Sequence, residues 1–208
     1  MEKPAGRTDE IIKWGALIQA MHYGTPEKVR AHLQRADNID APLANGKTAL
    51  MMASHAGRSE IVTLLLEMGS DVNSATKNGR TALIWAASSG HASIVRLLID
   101  RGAKVDARTS HGGTALMVAA LQGHAEAVKA LIEKGAAVNA QEDRYGLNAL
   151  MVAAAGKGNL QVVKLLLDHG ADISARDKKG RTVLDHMKKS RHKEVREFLM
   201  SRGAKEQP

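Results

Sequence analysis

A short motif returns at an almost constant interval along this chain of 208 residues. A polar residue, followed by Ala or Val and then by Leu, begins at five positions: Thr48, Thr81, Thr114, Asn148 and Thr182. Successive copies lie 33, 33, 34 and 34 residues apart, and a degenerate copy at Ala16-Leu17 extends the series towards the N-terminus. A period of this length is typical of a solenoid, in which each unit buries its apolar face by stacking on its neighbours.

Each copy of the motif predicts two short helices. Thr48 precedes an Ala-rich apolar run and is a good N-cap for a first helix. Gly57 is placed to end that helix in the left-handed conformation. A second helix carries the apolar residues 61–66 and ends at Gly69, and a polar turn around Gly79 leads into the next copy. The sequence therefore predicts an all-α solenoid of helix-turn-helix units with β-hairpin-like finger loops.

The composition agrees with closely packed helices. Hydrophobic residues make up 44% of the chain and aromatic residues only 2%, so the core is built from Ala, Leu, Val, Ile and Met. The absence of cysteine excludes disulfides, thiolate metal sites and cysteine nucleophiles. No apolar run reaches the length of a membrane span. We expect a soluble chain, and its compartment stays open between the cytoplasm and, if a signal peptide has been removed, a bacterial periplasm.

Several segments of the repeated unit resemble the ankyrin repeat: Gly90-His91, Gly123-His124, Val138-Asn139-Ala140 and Gly170-Ala171-Asp172. The resemblance implies a flexible N-terminus at 1–9 and one ankyrin-repeat domain of about six units over 10–205. We number the units one to six, and they span 10–42, 43–75, 76–108, 109–142, 143–176 and 177–205. The first and last units are expected to act as caps. One additional residue near 141–144 lengthens a finger, and another near 155–157 lengthens the turn between the two helices of unit five.

The same resemblance implies binding of a partner protein through the finger loops and through the concave face made by the first helices. The implied contact positions on the fingers are Asn45, Lys47, Asn78, Arg80, His111, Arg144, Tyr145 and Leu147. The implied positions on the first helices are His55, Trp85, Ser88, Ser89, Leu121 and Gln122.

Four large side chains among these positions have competing interpretations. Tyr145 and Leu147 are interpreted as contact residues because aromatic residues are enriched at binding hot spots, with local packing under the finger as the alternative. Trp85 is more typical of a core or groove-floor residue than of an anchor for a partner. An apolar residue at Leu121, where unit two has His55, favours a contact patch in units three to five.

The sequence contains no catalytic motif and no phosphate-binding loop, so neither a catalytic residue nor a cofactor is expected. His22 and His55 are equivalent in adjacent units, but packed helices lie about 8–10 Å apart. Ligands of one zinc ion each lie about 2 Å from it, so no metal site is expected. The net charge of +8 is compatible with either an acidic protein or a nucleic acid as the partner. Nucleic acid is disfavoured because Glu194 and Glu197 interrupt the basic last unit and no stacking aromatics accompany its charge.

The expected function is that of a non-enzymatic, monomeric protein–protein interaction module, without membrane insertion. The alternative is an inhibitor or immunity-type protein, for instance in a bacterium, that blocks the active site of a partner enzyme. The motive for the alternative is that the chain is almost entirely repeat, with no second domain of the kind an adapter would carry.

Overall fold

The computed structural model describes residues 17–21, 24–34, 38–42, 46–188 and 190–206. The flexible segment expected at 1–9 lies outside these residues, as do His22 and Asn45. Residues 17–21 are helical. The helices that follow are α1 (Pro26–Leu33), α2 (Ala49–His55), α3 (Ser59–Glu67), α4 (Ala82–Ser88), α5 (Ala92–Asp100), α6 (Ala115–Gln122), α7 (Ala125–Glu133), α8 (Ala149–Ala155), α9 (Leu160–Asp168), α10 (Val183–His186) and α11 (Lys193–Ser201).

The even-numbered helices from α2 to α10 are the first helices of successive units, and the odd-numbered helices are the second helices. The polar residue of the repeated motif is the N-cap of each first helix from α2 to α8. The Thr48 side chain accepts the backbone N–H of Met51 at 3.3 Å, and Thr81 and Thr114 make the equivalent bond at 3.4 Å. Asn148 makes it at 2.9 Å. These bonds satisfy N–H groups that have no partner within the helix, and the predicted caps are confirmed.

The turn between the two helices of a unit depends on glycine. Gly57, Gly90 and Gly123 have φ angles of 75°, 77° and 75°, in the left-handed region that side chains disfavour. A Cβ atom on Gly57 would also lie 2.6 Å from the ring of His91 in the next unit. Glycine therefore ends the first helix as predicted and lets adjacent units approach closely.

Stacking joins helices of the same kind. The first helices pack in the order α2, α4, α6, α8 and α10, and the second helices pack in the order α1, α3, α5, α7, α9 and α11. Leu83 and Leu98 are fully buried between them, and the small residues Ala86 and Ala119 allow the first helices to lie close together. The apolar core is continuous from unit to unit, and the all-α solenoid is confirmed.

Histidines tie units three and four each to the unit before it. His91 Nε2 lies 3.1 Å from the carbonyl oxygen of His55, and His124 Nε2 lies 3.1 Å from that of Ser88. The accepting carbonyls stand at helix C-termini, where the last carbonyls have no partner within the helix. His91 and His124 thus have a structural role.

The finger loops are hairpin-like and are bonded to one another. Isolated β-bridges join Ala75 to Thr81 and Gln141 to Asn148, so the finger between units four and five is one residue longer. Backbone bonds of 2.9 Å join successive fingers, which we call the finger ladder: Ser110 N–H to Asn78 oxygen, Asp143 N–H to His111 oxygen, and Lys178 N–H to Tyr145 oxygen. The ladder holds the fingers in a fixed order beside the first helices.

Candidate partner-binding face

The first helices share a row of aligned side chains, each four residues after the cap: Met52, Trp85, Val118 and Val152. Met52 is buried, whereas the other three are half-buried and pack against the core. The residue just before each cap ends a finger, and these residues are Lys47, Arg80, Gly113 and Leu147. We call the row, the exposed ends of the first helices and the fingers together the first-helix face.

Trp85 is surrounded by side chains from two successive units. Lys47 Nζ lies 3.7 Å from the centroid of its ring, and Arg80 Cζ lies 4.9 Å from it. The His55 ring packs edge-on against the indole at a centroid distance of 5.2 Å, and His55 Nδ1 lies 2.8 Å from Ser89 Oγ. Five residues that the sequence predicts as partner-binding positions therefore form one contact group, which we call the tryptophan cluster.

The tryptophan cluster holds two positive charges close together. Burial lowers the pKa of Lys47, and the neighbouring Arg80 guanidinium lowers it further. Arg80 rests on the indole and forms no ion pair with any residue that the structure describes. Attraction between a cation and an indole face is worth about 0.5–1 kcal/mol at exposed sites. The ring therefore helps to hold two like charges that repel each other.

Trp85 itself lies between core and surface. Its ring packs against the hydrophobic core and is half-buried, which agrees with a groove-floor position. Its Nε1 atom is covered and has no hydrogen-bond partner within the described part of the chain. A buried donor left without an acceptor is destabilising by about 1–3 kcal/mol. The position is thus not optimised for stability alone.

On the longer finger, Tyr145 and Leu147 differ in exposure, although the sequence analysis interprets both as contact residues. Tyr145 is 44% exposed, and Arg144 Cζ lies 4.9 Å from the centroid of its ring. Leu147 is half-buried and packs against the core, which is the local packing that the sequence left as an alternative. Only Tyr145 of this pair therefore presents a large surface to solvent.

Glu142 organises this finger, and the sequence analysis missed it. Its carboxylate accepts the backbone N–H groups of Arg144 at 2.8 Å, Tyr145 at 2.5 Å and Leu147 at 3.1 Å. Burial acts to raise the pKa of Glu142, but these N–H bonds stabilise the charged form more and lower the pKa overall. The sequence did contain a signal that could have identified Glu142, namely an acidic residue at the start of a finger that is one residue longer.

The other predicted positions are spread along the same face. Asn78 and His111 are exposed on the fingers, and their carbonyl groups belong to the finger ladder. Ser88 is half-buried and supplies the carbonyl group that His124 contacts. At the end of α6, Leu121 is 42% exposed and Gln122 is exposed beside it.

Metal binding and membrane insertion are two further possibilities for the described ranges. Within them, no group of three or more His, Cys, Asp or Glu side chains is placed to hold a metal ion. No helix there is long and apolar enough to cross a membrane.

A linear stack of helix pairs, with bonded fingers along one side, defines a helical-repeat protein. Models of ankyrin repeats match residues 3–76, 69–142, 104–177 and 137–207. The chain belongs to the ankyrin-repeat family, whose members generally serve as protein–protein interaction modules. It matches no curated protein significantly.

Proposed function

We propose that this chain is a non-enzymatic protein that binds a partner protein through the first-helix face of units two to five. One observation carries the proposal. Of the three exposed large apolar side chains in the described residues, two, Leu121 and Tyr145, lie on this face, and the third is Met200. Aromatic side chains and arginine beside polar groups are typical of protein-binding surfaces.

The rigidity of the fingers supports the same proposal. The finger ladder and the three N–H bonds to Glu142 fix the backbone around Tyr145 before any partner arrives. A surface that is already ordered loses less conformational entropy on binding. The first-helix face is therefore suited to tight contact without rearrangement.

The test begins with capture of a partner from a lysate of the source cells on the immobilised chain. The partner is identified, purified and titrated against the wild type and against Tyr145→Ala. We expect the substitution to raise Kd roughly 30-fold, since loss of a hot-spot aromatic removes about 2 kcal/mol. Met200→Ala, an exposed apolar residue on α11, is the matched control and should leave Kd unchanged.

Equal effects of the two substitutions, or none from Tyr145→Ala, would place the contact elsewhere. If the captured partner is an enzyme, its turnover is measured with and without the chain. Inhibition that Tyr145→Ala relieves would identify the more specific role, in which the fingers block an active site. Undiminished turnover in the complex would support an adapter role instead.

A further inference from the structure

The charges of units two to four are segregated along the sequence. Seven of their eight acidic residues occur on the second helices and the loops that follow them: Glu60, Glu67, Asp71, Asp100, Asp106, Glu126 and Glu133. The eighth, Glu142, begins the longer finger at the end of unit four. Residues 41–59, 72–99 and 107–125 contain no Asp or Glu, and they supply the fingers and the first helices. The first-helix face of these units therefore carries positive charge and has no acidic side chain before Glu142, whose carboxylate is bonded to backbone N–H groups of its own finger.

The nearest acidic residues on later fingers are already engaged. Asp143 Oδ1 lies 2.9 Å from Arg108, and its backbone carbonyl accepts a bond from Lys178. Asp177 is buried and paired with Arg181 at 2.7 Å. Asp143 of unit five is paired with Arg108 at the end of unit three, and Asp177 is paired within unit six. Both carboxylates are therefore engaged away from the tryptophan cluster.

The tryptophan cluster concentrates this charge at one point. Lys47 and Arg80 come from successive fingers and meet on the same indole ring, at 3.7 Å and 4.9 Å from its centroid. Two like charges in a partly buried position raise the energy of the free protein, and an anion between them converts repulsion into attraction. A carboxylate can also accept hydrogen bonds from both head groups.

We infer that the first-helix face of units two and three receives an acidic segment of the partner protein, with one carboxylate seated beside Trp85 between Lys47 and Arg80. This inference rests on the proposed function and specifies the chemistry of the partner. The acidic segment would continue along the acid-free fingers towards the apolar side chains Leu121 and Tyr145.

A nucleic acid fits this surface less well. Proteins that bind single strands stack bases on exposed aromatic faces. The face of Trp85 carries Lys47, and Tyr145 is the only exposed aromatic side chain in the described residues. One such platform does not form the series that successive bases require, so the cationic surface is better matched to carboxylates.

The test uses a fluorophore-labelled decaglutamate peptide as the probe and the full chain as the receptor. Binding is followed by anisotropy at low ionic strength, where screening is weak. We expect Lys47→Ala with Arg80→Ala to weaken binding roughly tenfold or more. The matched control is Arg101→Ala with Lys104→Ala, which removes the same charge from an exposed loop after α5 and should change Kd by less than about twofold.

A second readout reports on the site itself. The chain has two tryptophans, and Trp14→Phe leaves Trp85 as the only one. We expect decaglutamate to shift Trp85 emission with the same midpoint as the anisotropy. Lys47→Gln with Arg80→Gln, which keeps side-chain bulk, should reproduce the loss if the alanine pair disturbs the fold.

Three results would overturn the inference: equal weakening by the two double substitutions, an unchanged Trp85 emission, or tighter binding of a ten-nucleotide oligothymidylate than of decaglutamate. Its failure is distinguishable from that of the proposed function. A captured partner that responds to Tyr145→Ala but not to Lys47→Ala with Arg80→Ala would leave the binding face intact and remove the acidic anchor.

Discussion

Asp177 is a buried carboxylate at the start of the last unit. It accepts Arg181 Nε at 2.7 Å, the backbone N–H of Lys179 at 2.8 Å and His186 Nε2 at 3.0 Å. Burial acts to raise the pKa of Asp177, but the bonds from Arg181 and Lys179 outweigh it and lower the pKa. One side chain thus joins a finger to α10.

Asp177→Asn should lower the free energy of unfolding at neutral pH by about 1–3 kcal/mol. The amide has nearly the same shape, but its bonds to Arg181 and the backbone are no longer charge-assisted. Urea unfolding measures the change. Glu197→Gln, an exposed residue on α11, is the control and should stay within about 0.5 kcal/mol of the wild type.

The same side chain gives a pH dependence of defined sign. Because the pKa of Asp177 is lower in the folded chain than in the unfolded one, its stabilising effect is present above the usual Asp pKa of about 4. The effect is lost as the pH falls through the folded pKa. We expect the stability gap between wild type and Asp177→Asn to narrow in acid, and a constant gap down to about pH 2 would contradict this.

At the scale of elements, the turn between α8 and α9 is longer than its equivalents and reaches back to unit four. Its Lys157 N–H donates to the carbonyl oxygen of Leu121 at 3.2 Å. A Cβ atom on Gly156 would lie 2.5 Å from that oxygen and 2.7 Å from the oxygen of Val152. The backbone approach therefore requires glycine at this position.

Gly156→Ala should destabilise the chain by about 1–3 kcal/mol, because the backbone atoms it meets cannot move aside as a flexible side chain would. Chemical denaturation followed by circular dichroism measures the loss. Gly113→Ala is the control, since its Cβ would meet only the Thr109 hydroxyl, at 3.2 Å. If both substitutions had the same effect, the close approach to Leu121 would not be the cause.

In the whole molecule, the helices of each unit pack mainly on the helices of the neighbouring units. α5 packs on α3, α4 and α7, and Leu98 on α5 is fully buried. The stability of such an array is approximately the sum of contributions from the units and from the interfaces between them. If a central unit is weakened, the units on either side of it can unfold separately. A terminal unit can fray without that consequence.

Leu98→Ala should lower the free energy of unfolding by about 2–5 kcal/mol. We also expect it to separate unfolding into two transitions, because units on either side lose their coupling. Leu199→Ala, equally buried but in the last helix, should leave the main transition single. Differential scanning calorimetry distinguishes these outcomes, and a single sharp transition for Leu98→Ala would refute the division of the stack.

The repeated unit, its helix caps and its glycine turns could be predicted from the amino-acid sequence. These features depend on residues only a few positions apart, such as Thr48 and Met51, and the period repeats the same signal along the chain. The longer finger was visible for the same reason. The resemblance predicted which positions of a unit lie on the fingers and the first helices. It did not predict which of these side chains contact one another.

The contacts between side chains of different units could not be predicted in this way, because they depend on the packing of the folded chain. Lys47 and Trp85 are brought to 3.7 Å by the stacking of two units, and Leu147 turns to the core while Tyr145 stays exposed. The same stacking brings the acid-free segments 41–59, 72–99 and 107–125 to one face, and most of the acidic residues of units two to four lie on the second helices and the loops that follow them. Local sequence determines backbone conformation within a unit. Contacts between units instead join residues about 33 positions apart in the sequence, and they form only when the units stack.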